Sequence, residues 1–213
     1  MKPTLLATLP FLLFALTTYF PLPFTQGVEQ VKDKNGNPIL VSKKYFIWPA
    51  DGSGGGLRLN ETEQCPLVVQ QAFSEDVKSL PLKFIPTENI NDFIFTGYTS
   101  LDIVFEKKTK CAESSKWVVV KGGFMEPWIG IGGGVNGKSV IDGLFKIETI
   151  RSFRGYKLVF CPTISDPTGQ CNNIGRFFDN ENGLRLIMSE NFKPFEVVFV
   201  DVEDTAGFGR SVV

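Results

Sequence analysis

The sequence predicts an all-β domain, and two observations carry that expectation. Twelve short apolar, β-branched or aromatic runs recur along the chain, each bounded by Gly, Pro, Asn or Asp. After residue 27 no stretch keeps an uninterrupted helical period over three turns. Three of the runs are also alike: Tyr45-Phe-Ile-Trp48, Leu101-Asp-Ile-Val-Phe105 and Tyr156-Lys-Leu-Val-Phe160 begin 56 and 55 residues apart, each opening a set of four. Three sets of four is the strand count of a β-trefoil. A sandwich with irregular loops uses strands of the same length and spacing, so on these grounds both stay open.

Ahead of the domain, residues 1–27 hold Lys2 as their only charge and an apolar run over 5–24 broken by Thr and Pro. This reads as a secretory signal peptide cleaved near Gly27. A membrane anchor is the competing reading, but Pro10, Pro21 and Pro23 interrupt the span it would need. A single domain is expected over 28–213, in the secretory pathway and outside the membrane once the leader is gone.

The domain opens on Asn35-Gly36-Asn37-Pro38. Asn-Gly favours left-handed turn angles and Pro38 fixes the next φ, so the chain reverses there and enters the run 45–48, where Tyr45, Phe46 and Ile47 suit a pleated, half-buried surface. A Gly-rich loop over 50–56 leads to the run 57–59. Asn60-Glu61-Thr62 follows as the only N-x-S/T sequon, and in an exported chain Asn60 reads as a glycan acceptor on a loop, against a chance match. Runs 65–70 and 80–85 complete the first set. Runs 101–105, 117–120, 128–131 and 144–150 make the second, and 156–160, 174–178, 184–188 and 195–200 the third.

Composition removes several classes of function. The chain has 22 basic and 23 acidic residues, and loss of Lys2 with the leader leaves 21 against 23. The basic residues are scattered, so no phosphate backbone is a fitting partner and nucleic-acid binding is disfavoured. There is no histidine, which takes away the usual general base, the commonest metal ligand and every Ser-His or Cys-His nucleophile. Four cysteines, Cys65, Cys111, Cys161 and Cys171, allow three pairings in an oxidising compartment. No Cys-x-x-Cys pair supports a metal site instead. Glu75-Asp76 and Glu203-Asp204 lack the apolar setting that raises a carboxyl pKa for acid catalysis. No enzyme, metal or cofactor is expected.

Two motifs argue otherwise. Residues 132–139 satisfy the phosphate-cradling pattern G-x-x-x-x-G-K-S, but that mechanism needs a helix starting at Lys138, and Val140-Ile-Asp-Gly143 is a poor start for one. Sugar binding would suit three equivalent lobes, yet the Gln-x-Trp repeats of trefoil lectins are missing. Trp48, Trp117 and Trp128 do not share a repeat-equivalent position, so they read as core or rim packing. Phe93, Phe95 and Phe177-Phe178 fit strand or loop packing.

Val31, Asp33, Asn35-Gly36, Ile39, Tyr45 and Ile47 together resemble the opening signature of the Kunitz-type soybean trypsin inhibitor family. Further blocks follow in family order: Cys65-Pro-Leu-Val-Val, Ser115-Lys-Trp117-Val-Val, Asp142-Gly-Leu-Phe-Lys-Ile-Glu148, Tyr156-Lys-Leu-Val-Phe-Cys-Pro162, Ile174-Gly175 and Phe195-Glu-Val-Val-Phe199. The resemblance covers nearly all of 31–200 and favours the trefoil over the sandwich. It implies the pairing Cys65–Cys111 and Cys161–Cys171 and a monomer that blocks a serine protease through one exposed loop.

By that resemblance the loop is 86–98, with Ile90, Asn91, Asp92 and Phe93 at its contact positions. Asn91-Asp92 stands where trypsin-directed relatives carry Arg or Lys before the scissile bond, and Val41 stands where the family has an Asn that braces the loop from within. Weak or altered action on trypsin is therefore expected. A register moved by one would present Ile90, and one moved by two would present Phe93. A non-inhibitory storage or defence protein, or an inhibitor of a cysteine or aspartic protease, is the alternative use of the scaffold.

Overall fold

The computed structural model describes residues 28–60, 65–88, 92–133, 137–150, 155–163, 170–179 and 183–207. The expected leader at 1–27 lies outside them. Among the described residues there are thirteen strands: β1 (Tyr45–Pro49), β2 (Leu57–Asn60), β3 (Leu67–Ala72), β4 (Leu82–Pro86), β5 (Leu101–Phe105), β6 (Trp117–Lys121), β7 (Trp128–Ile131), β8 (Ser139–Ile141), β9 (Gly143–Thr149), β10 (Tyr156–Pro162), β11 (Asn172–Phe178), β12 (Gly183–Met188) and β13 (Glu196–Asp201). One short helix, α1 (Val202–Gly207), follows.

Six strands close on themselves as an antiparallel barrel, with β1 beside β13 and β4, β4 beside β5, β5 beside β9, β9 beside β10, and β10 returning to β13. The hairpins β2–β3, β6–β7 and β11–β12 form a cap and meet one another through β3–β7, β3–β12 and β7–β12. This is a β-trefoil, and Tyr45, Leu101 and Tyr156 each begin the barrel strand that opens a unit.

Two elements go beyond the expected twelve runs. β8 pairs with β6 and is only three residues long, Ser-Val-Ile, too short to register as an apolar run. α1 forms because Asp201 caps it: its carboxylate accepts the Glu203 N–H at 2.9 Å, and Glu203 and Asp204 place negative charge on the first turn.

Alternation along the barrel strands builds the core. In β1 and β5 residues are buried at every second position, which sends Tyr45, Ile47, Leu101 and Ile103 inward. They meet Phe84, Phe145, Phe160 and Phe199 in one cluster, each large side chain contributing roughly 1.5–3 kcal/mol by leaving water. A smaller cluster of Val68, Val120, Trp128 and Ile187 fills the cap. Val68, Trp128 and Ile187 lie on β3, β7 and β12, the mutually paired third strands of the three units.

Disulfides join Cys65 to Cys111 and Cys161 to Cys171, with no free cysteine, in the pairs that the family resemblance implies. They close sequence separations of 46 and 10 residues, worth about 4 and about 3 kcal/mol on the chain-entropy model. Cys111 packs against the main core, whereas neither cysteine of the shorter bridge does. Under graded reductant the Cys161–Cys171 bridge should therefore open first, and loss of Cys65–Cys111 should lower stability more. Mass mapping of alkylated thiols against time checks the order.

Candidate functional site

The turn at 33–37 sets up everything around the loop. The Asp33 carboxylate accepts the N–H groups of Asn35 (2.8 Å) and Asn37 (2.9 Å), and Gly36 takes φ +88°, a left-handed angle that suits glycine. The chain reverses, and Ile39 N–H donates to the Val31 carbonyl at 2.8 Å. Two tyrosines pin the resulting ribbon. The Tyr156 hydroxyl accepts the Lys32 N–H at 2.9 Å and the Tyr45 hydroxyl accepts the Leu40 N–H at 2.9 Å. Burial pushes both phenols above their ordinary pKa.

The ribbon lies along one leg of the loop 86–98. Val31 N–H donates to the Ile94 carbonyl (2.8 Å), Thr96 N–H to Glu29 (2.8 Å), and Val41 N–H to Asp92 (3.1 Å), while Leu40 bridges Phe93. Ile94 is fully buried beneath. Behind it Phe95 N–H donates to Thr99 Oγ1 (2.9 Å) and Gly97 N–H to the Ile147 carbonyl (2.7 Å). The other leg leaves β4 with Thr87 N–H bonded to the Ser100 carbonyl at 3.0 Å.

Glu88 and Asp92 are exposed on the two sides of the loop crest. Ile90 and Asn91 lie outside the described residues. Phe93 is half-buried and lines a cavity of about 310 Å³ with Pro38, Leu40, Lys43, Tyr45 and Asp201. Val41 packs its side chain against the main core and gives the loop a backbone N–H, not a side-chain amide.

A charged network stands under this ribbon. Lys43 Nζ lies 2.6 Å from Asp201 and 3.1 Å from Glu203, and the hydrogen bonds it donates, to Asp201 first and Glu203 second, hold the ammonium above its ordinary pKa. Asn35 donates to Asp204 at 2.7 Å. These contacts were not legible in the sequence, because Lys43 and its partner Asp201 are 158 positions apart. The Asp201-x-Glu203 cap was the one local signal available.

The other sequence candidates fall away from this region. Asn60 ends strand β2 and is 4% exposed, so it is not on the expected loop, and a glycan there needs the side chain turned out of the sheet. Ser139 begins strand β8 where a phosphate cradle requires a helix, and the Lys138 ammonium lies 5.4 Å from the Trp128 ring centroid. Trp117 and Trp128 are each 1% exposed and Trp48 is half-buried, as packing residues are. Glu75 and Asp76 are exposed on a turn, and Glu203 and Asp204 are exposed on α1.

The chain is similar to known proteins over most of its length. Residues 31–201 match the legume Kunitz family, described as trypsin and protease inhibitor. A Kunitz-type trypsin inhibitor-like 1 protein of Pisum sativum is 45% identical over 222 residues, covering 100% of both chains. Subtilisin inhibitor CLSI-II of Canavalia lineata is 37% identical over 192 residues, covering 86% of this chain and 98% of its own. Among solved structures, a Kunitz type trypsin inhibitor from Cicer arietinum superposes with a TM-score of 0.74 at 44% identity, over 82% of this chain and 99% of its own. Soybean trypsin inhibitor in complex with porcine pancreatic trypsin does so with a TM-score of 0.68 at 31% identity, over 82% and 99%.

Proposed function

We propose, for a chain that belongs to the legume Kunitz family of trypsin and protease inhibitors, that it is a secreted plant inhibitor of a serine protease acting through the loop 86–98. The family is one of inhibitors and not of enzymes. The mature domain starts after a leader ending near Gly27 and works as a monomer off the membrane. The observation that carries the reading is the binding of the loop's second leg, residues 92–97, to the ribbon 29–41 and to Ile147.

Rigidity is what such a loop contributes. A segment already held in its bound shape loses little entropy on docking, and the folded scaffold keeps cleaved ends together so that the bond re-forms. Asn91 supplies no cation for trypsin's primary pocket, and Asp92 adds a negative charge beside it. The protease it fits is therefore one with an apolar or permissive primary pocket, met by Ile90 or Asn91. One relative is named for subtilisin.

Titration of the mature protein against trypsin, chymotrypsin, elastase, subtilisin and papain tests this. Inhibition of subtilisin, elastase or chymotrypsin in preference to trypsin is the expected result. No inhibition of any, with both disulfides intact, favours a storage or defence protein that kept the scaffold, a reading that the Val41 position already supports.

A further inference from the structure

We propose that Lys43 is a positioning residue for the inhibitory loop, supplying through an ion pair the bracing that Val41 cannot give through its side chain. The proposal rests on the reading of 86–98 as the loop that meets the protease.

The chain of contacts is short. The Asp92 carbonyl is held by the Val41 N–H, and Phe93 is bridged to Leu40. Leu40 is fixed twice, its N–H donating to the Tyr45 hydroxyl (2.9 Å) and its carbonyl accepting the Lys43 N–H (3.2 Å). Residues 40–43 thus form a clip, with the loop at one end and Lys43 at the other. The Lys43 ammonium then joins the clip to two elements from the far end of the chain, Asp201 at the end of β13 and Glu203 in α1. The Val202 N–H adds a bond to the Lys44 carbonyl at 3.1 Å.

Charge makes Lys43 hard to replace. Carboxylate oxygens of Asp33, Asp201 and Asp204 lie within 4.8 Å of one another, with Asp33 on the turn that starts the ribbon, Asp201 buried, and Asp204 on α1. Glu203 is a fourth acid on the same side, and the Asn35 amide is a neutral donor to Asp204. Lys43, Asp33, Asp201 and Asp204 line the same cavity as Phe93. Without the ammonium the clip loses its link to Asp201 and Glu203, and the carboxylates of Asp33, Asp201 and Asp204 repel one another unneutralised, which pushes the start of the ribbon away from α1. The Val41 to Asp92 bond is the contact at the end of that movement, and its loss frees the loop to follow a substrate's path to hydrolysis.

The test uses the mature protein with both disulfides, digested by a catalytic amount of subtilisin, with cleavage within 88–92 timed by mass spectrometry and thermal melting recorded beside it. Lys43→Met should be cut there about tenfold faster than the parent, the scale of one hydrogen bond lost. Lys43→Arg should behave as the parent, and Asp204→Asn added to Lys43→Met should recover part of the resistance. A Lys43→Met protein that melts lower yet is cut within 88–92 at the parental rate shows a structural role only and overturns the proposal. If subtilisin cuts parent and variants alike elsewhere, and Asn91→Ala leaves inhibition of every protease unchanged, the loop reading itself is wrong and the role of Lys43 goes with it.

Discussion

The double replacement Asn91→Arg with Val41→Asn should make the protein a far tighter inhibitor of trypsin than the parent. Trypsin's primary pocket ends in a buried carboxylate, and a desolvated, hydrogen-bonded charge pair at the centre of an interface changes affinity by about 2–5 kcal/mol when one partner is missing. That corresponds to a change of roughly 30-fold to several thousand-fold in Kd. Arginine at 91 supplies the charge. Asparagine at 41 supplies the side-chain amide that the family uses to brace the loop, at a position whose backbone already bonds Asp92 at 3.1 Å. Asn91→Arg alone should give a weaker inhibitor that trypsin slowly cleaves, because a cation in the pocket also makes a good substrate when the loop is free to relax. Val41→Asn alone should change little against trypsin. Inhibition constants and cleavage rates for the four proteins decide the matter. A parent that already inhibits trypsin in the nanomolar range would refute the placement of Asn91.

Trp117→Ala should cost about 3–5 kcal/mol of folding stability, the usual range for truncating a fully buried large aromatic. Trp117 is 1% exposed on β6 and stands between Phe105 and Phe145, with ring centroids 5.5 and 6.0 Å away. Those neighbours come from β5 and β9, so a void there loosens the contact between cap and barrel. The more informative change is Trp117→Phe. The indole Nε1 is buried without an acceptor among the described residues, and such an orphaned donor costs about 1–3 kcal/mol in the native state. Phenylalanine gives up part of the ring's packing but removes that penalty. It should therefore lose well under half of what alanine loses. Urea unfolding of the three proteins measures this, and equal losses for the two variants would mean that the N–H is satisfied.

Local pattern was enough for the all-β class, and the family resemblance chose the trefoil over the sandwich. β1 and β5 bury every second residue, because side chains along a strand point alternately to its two faces and only one face meets the core. The repeat of 56 and 55 residues pointed to three units for the same reason, since each unit opens on a similar short run of apolar and aromatic residues. β8 escaped because three residues are too few to show a period, and it exists only because β6 offers it an edge. The connection between β4 and β5 could be read from the runs on either side of it. Its support could not: Val41, adjacent in space to Asp92, is 51 positions earlier in the chain.

By itself, then, the sequence determined the twelve longer strands, the repeat behind the threefold plan and the lack of histidine, all of them properties of composition or short-range order. Tertiary structure alone decided that Asn60 is buried in β2 and that the half-buried Phe93 lies beside Leu40 and lines a cavity with Lys43 and Asp201. It also decided that Lys43 joins the loop's clip to Asp201 and Glu203. Closure of the barrel places β1 against β13 and so brings the two ends of the domain together. Contacts of that kind depend on which strands meet, and no local pattern in either segment records the partner.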